Sequence, residues 1–296
     1  MPKILVLGET GQLARSLGAL RWPAGFDLEF VGRRRSPDGA PAAGIRAALE
    51  AGNPALVLNT AAYTAVDRAE SEPEAASALN AALPRALAEA CGTLDIPLVH
   101  VSTDYVFDGE KRSPYLETDA PNPLSVYGAT KLEGDRAIEQ AAPRRWAILR
   151  TSWVVSGFGE TFPAKLLRRA KAGEPLRVVD DQWGCPTGAS DLARAMQTVG
   201  LRLLDDDAAA AGLFNFRGAS EMSWHGFADR LLSAAETMGL ARPSLQAIKS
   251  AELNAPAKRP AYSVLSCARI EQTYGLAATP IDSDIESMVH RILARA

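Results

Sequence analysis

Short apolar runs alternate with helical patterns through the first half of the chain. Ile4–Leu7, Leu28–Val31, Ala55–Asn59, Pro97–Ser102 and Trp146–Arg150 are brief, rich in Val, Ile and Leu, and predict buried strands. Between them, Leu13–Leu20, Ile45–Ala51, Glu74–Cys91 and Val126–Gln140 carry apolar residues at helical spacing. Pro73 stands at the start of the third of these, a position helix N-termini favour. A strand–helix order with short connections predicts an α/β fold, with a doubly wound parallel sheet covered by helices on both faces. After Arg150 the texture changes. Leu176–Val179, Gly212–Phe216 and Tyr262–Leu265 read as short strands among helices over Asp191–Leu204, Trp224–Met238 and Ile285–Ala294. Asp205–Ala211 reads as a surface loop. The expected division is one large domain over residues 1–151 and a smaller lobe over residues 152–296, parts of which return to the sheet.

Composition narrows the function classes. The 296 residues are 47% hydrophobic and 23% charged, enough for a packed core and against disorder. The net charge is −3 and neither lobe is strongly basic, which argues against nucleic acid as a partner. No apolar run is long enough to span a bilayer, and Met1-Pro2-Lys3 leads directly into the first strand, so a cytoplasmic protein is expected. Cys91, Cys185 and Cys267 are scattered, as are His100, His225 and His290. The cysteines show no metal-ligand spacing and no disulfide framework, no metal is expected, and a structural role is expected for each histidine.

The candidate chemistry lies at strand ends. Gly8-Glu9-Thr10-Gly11-Gln12-Leu13-Ala14 follows the first strand and opens the first helix. Glycine there lets backbone N–H groups approach a pyrophosphate at a helix N-terminus, which makes the first domain a candidate NAD(P)-binding Rossmann domain. The second strand ends in Gly32-Arg33-Arg34-Arg35, where an NAD site usually places an acid. Arg33 and Arg34 suit a ribose 2′-phosphate instead. Tyr127 and Lys131 are four apart on one helix and share a face. The lysine is expected to favour the phenolate and lower the tyrosine pKa. Ser102-Thr103-Asp104-Tyr105-Val106-Phe107 closes the fourth strand, where a hydroxyl can bond a substrate carbonyl as its oxygen gains charge.

Seven segments together resemble one family. GETGQL (Gly8–Leu13), NTAAYTAVDRAESE (Asn59–Glu72), STDYVFDG (Ser102–Gly109), YGATKL (Tyr127–Leu132), RTSWV (Arg150–Val154), DDQWGCPTG (Asp180–Gly188) and KRPAYSVL (Lys258–Leu265) occur in order over nearly the whole chain. The pattern is similar to the dTDP-4-dehydrorhamnose reductases, within the extended short-chain dehydrogenase/reductases. The first and fourth segments are shared widely in that superfamily; the second, third, sixth and seventh are more specific.

The resemblance implies a set of roles. Thr103, Tyr127 and Lys131 match the catalytic hydroxyl–Tyr–Lys set. Gly8, Gly11, Gln12 and Leu13 match the dinucleotide loop, and Ala61, Ala62 and Tyr63 lie beside the cofactor. Thr64, Val66, Asp104, Phe107 and Trp153 face the sugar, and Arg259 the nucleotide diphosphate. The implied reaction is NADPH-dependent reduction of a dTDP-4-dehydro-6-deoxy sugar at its 4-keto group. Ala14 departs from the family's third glycine, and Gly32 stands where many members place an acid. The second departure moves the expected cofactor toward NADPH, with NADH as the second choice. Some members dimerise through Mg²⁺ held by glutamates where this chain has Ser16 and Ser190. That argues against a magnesium-bridged dimer and for a monomer or weak homodimer. A 4,6-dehydratase would carry Thr-Asp-Glu where this chain reads Thr103-Asp104-Tyr105. The same fold also serves related nucleotide-sugar ketoreductases and epimerases, and a non-catalytic NADP-binding regulatory subunit. The intact Thr103, Tyr127 and Lys131 argue against the last.

Overall fold

The computed structural model describes residues 1–32, 44–141, 143–205 and 211–294. Strand β1 (Lys3–Leu7) turns at Gly8 into α1 (Gln12–Ala19), and β2 (Asp27–Val31) follows. Helix α2 (Ile45–Gly52) leads to β3 (Leu56–Asn59) and the single turn α3 (Val66–Ala69). The long helix expected over Glu74–Cys91 is interrupted. It runs as α4 (Pro73–Ser77), a π-helical stretch Ala78–Ala82, and α5 (Leu83–Leu94). The π stretch carries Asn80, a buried amide in an otherwise Ala/Leu-rich surface, and such bulges occur often at functional sites. Strand β4 (Leu98–Thr103), α6 (Val126–Ala141) and β5 (Trp146–Thr151) complete the first half close to expectation.

The second half contains β6 (Val154–Val155), α7 (Phe162–Lys171), β7 (Leu176–Val179), β8 (Trp183–Gly184), β9 (Thr187–Gly188) and α8 (Ala189–Asp205). Then come β10 (Gly212–Asn215), β11 (Met222–Ser223), α9 (Trp224–Thr237), β12 (Leu245–Ile248), α10 (Ala268–Tyr274) and α11 (Asp282–Leu293). Helix α7 was not anticipated from the sequence. Its N-terminus is set by Thr161, whose hydroxyl accepts from the Ala164 N–H, with Pro163 in the first turn. The strand expected over Tyr262–Leu265 is absent. That segment leaves Pro260 and touches two different neighbours by single bridges, Tyr262 to Trp183 and Leu265 to Tyr115.

Six strands form one parallel sheet in the order β2-β1-β3-β4-β5-β10. The chain winds outward in both directions from β1, so its carboxyl end lies beside a topological switch point, where such folds bind ligands. Strand β10 comes from beyond residue 151 and pairs with β5 along Gly212–Asn215. Helix α8 also packs on the sheet: Leu192, Met196 and Val199 meet Leu13, Leu17 and Leu58 in one buried cluster. Helices α2, α5 and α6 cover the opposite face. A separate cluster joins α7, α9, α11 and β7 through residues such as Leu167, Phe227, Leu231 and Val289. Among the described residues no helix is long and apolar enough to cross a membrane.

One buried ion pair ties α6 to the sheet. Arg150 Nε donates to Asp135 Oδ2 at 3.0 Å, with both side chains nearly or fully inaccessible. Removing one member strands a buried charge, a far larger loss than for a surface pair. Asp135→Ala is expected to cost about 3–5 kcal/mol in urea unfolding. Arg150→Met in the same chain should recover most of it. A loss below about 1 kcal/mol would place the pair with weak surface bridges.

Candidate active site

Gly8 has a φ of 111°, and a Cβ there would collide with Thr60 Oγ1, so only glycine turns the chain from β1 into α1. The Gly8 N–H donates to Val31 O at 3.0 Å, fixing the turn against β2. Gly11 is the α1 N-cap, has no side-chain cap, and faces open space. The first-turn amides of α1 are therefore available to an anion. Ala14 and Leu13 are buried against the sheet, so Ala14 does the packing expected of a third glycine. The Gln12 amide is engaged elsewhere: Nε2 donates to Val154 O at 3.0 Å, and Oε1 accepts from Ser156 Oγ at 2.9 Å. Its side chain ties α1 to the smaller lobe, which leaves its backbone for phosphate.

The end of β2 corrects one premise drawn from the chain alone. Gly32 supplies no acid, but the Glu9 carboxylate of the phosphate loop fills the space beside it, where a residue-32 side chain would point. An acid therefore stands at the end of β2, delivered from another loop. Arg33 and Arg34 lie outside the described residues.

After β3, Asn59 and Asn80 fix the loop that carries Ala61, Ala62 and Tyr63. Asn80 Oδ1 accepts from Tyr63 N at 2.8 Å, and its Nδ2 donates to Thr130 Oγ1 at 3.1 Å, clamping the loop to α6. Ala61 and Ala62 remain partly accessible. The Tyr63 side chain is buried and its hydroxyl donates to Glu72, so only its main chain borders the crevice. Thr64 is exposed and Val66, partly so, opens α3. Asp67 accepts from Arg259 Nη2 at 2.8 Å, and bonds from Arg259 and from the Ala257 N–H outweigh its burial, leaving its pKa below the ordinary carboxylate value. This pair joins the Lys258–Leu265 segment to the loop after β3.

At the end of β4, Thr103 is nearly buried. Its hydroxyl donates to Asp104 Oδ1 at 3.1 Å and accepts from Tyr105 N at 3.2 Å, with the Tyr127 phenol beside it. Helix α6 comes close because Gly128 has no side chain; a Cβ there would strike Tyr105 O. Burial pushes the Tyr127 phenol up to about 12, with the Thr103 bond opposing and the Asp104 and Asp135 charges adding. The expected lowering by Lys131 is not what the geometry produces. Lys131, 2% exposed, donates from Nζ to Val101 O at 2.6 Å and lies 3.0 Å from His100 Nε2. Its ammonium points at the strand backbone rather than the phenol. Burial lowers Lys131 to about 8, with Asp135 opposing.

Asp104 is also buried. Burial raises it to about 6, with the neighbouring Ser263, Ser152 and Thr103 hydroxyls opposing; only Thr103 is within a regular hydrogen bond, and Oδ2 is buried without a partner among the described residues. Phe107 is fully buried, stacked on Tyr115 with centroids 4.2 Å apart. Its ring packs with Val106, Tyr115, Leu132 and Leu265 in a small buried cluster. Trp153 follows β5 at a φ of 44°, rare for a bulky residue. Its ring stacks on Trp224 at 3.7 Å and lies over Gly184, while part of it stays accessible. The buried pair of Asn59 and His100 beside Lys131 was not anticipated, because the two become neighbours only through the β3–β4 register, which sets Asn59 against His100.

At the two places where some relatives hold Mg²⁺, the buried Ser16 sits on α1 and Ser190 donates to Asp284 Oδ2 at 2.9 Å. No cluster of three His, Cys, Asp or Glu forms among the described residues. These side chains do not fit a magnesium bridge of the glutamate type.

A doubly wound sheet, a glycine turn at the first helix and a hydroxyl–phenol–amine set beyond β4 define a Rossmann-type oxidoreductase. Comparison with known proteins sharpens the class. Residues 2–294 match the family model described as RmlD substrate binding domain, and the chain belongs to that family. The dTDP-4-dehydrorhamnose reductase of Sinorhizobium fredii is 42% identical, covering 93% of this chain and 92% of its own. That of Escherichia coli K12 is 35% identical over 98% and 97%. A crystal structure of the Clostridium acetobutylicum enzyme superposes with a TM-score of 0.88 at 31% identity, over 99% of this chain and 100% of that one. The Bacillus anthracis enzyme, solved in complex with NADP, gives 0.86 at 27% identity over 100% of both chains.

Trp153→Ala separates packing from recognition. The stack on Trp224 predicts a loss of about 3 kcal/mol in stability, the lower range for a truncated aromatic in a core. Thermal melts paired with kinetics on the folded variant check this. An unchanged melting temperature with a raised Michaelis constant would make the ring a sugar contact alone.

Asp104 makes stability depend on pH. A carboxyl whose folded pKa exceeds its unfolded value adds stability below the unfolded value, and that stability is lost as pH rises through the folded one. Wild type should therefore lose stability relative to Asp104→Asn between about pH 4 and pH 7, by about 2–3 kcal/mol. A pH-independent gap between the two melts would show that Asp104 does not titrate in this window.

Proposed function

We propose that the chain reduces the 4-keto group of dTDP-4-dehydro-L-rhamnose to give dTDP-L-rhamnose, with NADPH as the reductant. The observation that carries the chemistry is the placement of the Tyr127 phenol beside the Thr103 hydroxyl at the end of β4, where Gly128 lets α6 approach Tyr105. A reduction needs an acid at the carbonyl oxygen, and this phenol keeps its proton across the neutral range. Thr103 shares the oxygen and fixes the phenol's direction. Lys131 lies one turn further along α6 and holds the cofactor ribose. Bound NADPH supplies the hydride that reduces C4.

Gly8, Gly11, Gln12 and Leu13 offer backbone amides to the pyrophosphate, and the open space above Gly11 fits that group. Ala61, Ala62 and the Tyr63 backbone border the cofactor. Arg33 and Arg34 are assigned to the 2′-phosphate on sequence grounds. The Bacillus anthracis relative's complex with NADP supports the choice of cofactor. Glu9 beside Gly32 keeps NADH in play as a second substrate. Thr64, Val66, Asp104 and the accessible part of Trp153 face the sugar, and Arg259 faces the diphosphate. The reading is of a cytoplasmic monomer or weak homodimer acting on a soluble nucleotide sugar. Tyr105, where a dehydratase would carry a glutamate, disfavours elimination.

The test is NADPH oxidation with dTDP-4-dehydro-L-rhamnose, its UDP counterpart alongside. Wild type should turn over the dTDP sugar, and Tyr127→Phe should lower kcat by about 10²–10⁴ with cofactor affinity nearly unchanged. Near-normal turnover by Tyr127→Phe would remove the phenol as the acid, and inactivity of wild type on both sugars would overturn the substrate.

A further inference from the structure

The side chain that stands at the end of β2 comes from the phosphate loop, and the backbone fixes its placement. The Gly8 N–H bonds Val31 O at 3.0 Å, and the φ of 111° at Gly8 sets the direction in which the chain leaves β1. Residue 9 is thereby delivered beside Gly32, the first position past β2. A Cβ on Gly32 would meet three atoms of Glu9: it would collide with Oε2, and lie 3.2 Å from Cβ and 3.5 Å from Cδ. The Glu9 side chain therefore runs through the space that a residue-32 side chain would fill, and it can do so because Gly32 has none. In a dinucleotide fold that space belongs to the acid that binds the adenosine ribose 2′-hydroxyl. Glu9 is exposed, and among the described residues no hydrogen bond or ion pair occupies its carboxylate. Its oxygens are left to accept from a ligand.

We propose that Glu9 is the specificity-determining residue at the adenosine end of the site: its carboxylate replaces the missing strand-end acid, accepts from the ribose 2′-hydroxyl of NADH, and opposes the 2′-phosphate of NADPH. The two cofactors differ only at that oxygen, so one group there sets their ratio without touching the hydride chemistry. An ionised carboxylate accepts and cannot donate. It gains a charge-assisted bond from a hydroxyl and repels a phosphate, which carries negative charge of its own. NADPH is still admitted, because an exposed glutamate that no partner holds changes rotamer quickly and turns toward solvent. Arg33 and Arg34, assigned to the 2′-phosphate from the sequence, act in the opposite sense. Cofactor choice is then a balance between an acid in the phosphate loop and the basic run after β2. The proposal rests on the dinucleotide reading of the Gly8–Leu13 loop and is independent of which sugar is reduced.

Cofactor binding to the full chain, with no sugar present, is read first. NADH, NADPH and 2′-deoxy-NADH are titrated against wild type, Glu9→Gln and Glu9→Ala by nicotinamide fluorescence. A charge-assisted bond is worth roughly 10–150-fold in affinity, so Glu9→Ala should weaken NADH at least about tenfold and Glu9→Gln by less. NADPH should bind both variants as tightly as wild type or more tightly. 2′-Deoxy-NADH should bind wild type and Glu9→Ala alike, which a merely structural role for Glu9 would not produce. The double variant Glu9→Ala/Gly32→Asp returns the acid to the strand and should restore NADH binding, since the atoms nearest a Cβ at Gly32 all belong to Glu9. In turnover, the effect should appear in the KM for NADH with kcat nearly unchanged, because the adenosine end lies away from the reacting carbon. An NADH-to-NADPH affinity ratio that moves by less than about twofold in both Glu9 variants overturns the proposal and leaves the reductase reading intact. Equal losses of NADH and 2′-deoxy-NADH do the same. If wild type binds neither natural cofactor, the dinucleotide site itself fails, and the proposal with it.

Discussion

The burial of Lys131 is the constraint around which the site is built. A lysine seldom sits at 2% exposure unless its nitrogen is bonded, and here the bonds come from one strand, at Val101 O and His100. To reach them, α6 must lie very close to β4. Gly128 and Gly134 make this possible, since a Cβ at either would strike the backbone carbonyl of Tyr105 or Asn80. The same approach brings Tyr127 against Thr103 and lets Asn80 clamp the loop after β3 to Thr130. Asp135 and Arg150 hold the far half of the helix to β5. Helix α6 is thus tied down mainly through polar groups that bond to partners on other elements. A change in one propagates to the others because a buried polar group that loses its partner has no water to replace it.

Much of this was legible in the chain. The strand ends carry the chemistry in a parallel sheet, so the alternation of runs located the Gly8 turn, the Thr103 hydroxyl and the Tyr127–Lys131 helix within a residue or two. What failed was three-dimensional. Glu9 reaches the end of β2 from another loop, so reading along the strand found Gly32 and no acid. Four-residue spacing placed Lys131 beside Tyr127, but spacing fixes a face and not the direction of a long flexible chain. The π stretch at Ala78–Ala82 has no signature beyond an amide among alanines.

Desolvation gives the site a common electrostatic direction. It raises Tyr127 to about 12 and Asp104 to about 6, and lowers Lys131 to about 8. Each shift favours the uncharged form. Tyrosine benefits directly, because the neutral phenol is the form that can give a proton away. For lysine the effect is a cost, since an amine without its charge binds an anionic cofactor less well. The two demands conflict if both groups answer only to burial. They are reconciled if the lysine gains its charge as an anionic ligand arrives, since nearby negative charge raises an amine's pKa while also favouring the protonated phenol. Ligand charge then pushes both groups toward the protonated state at once.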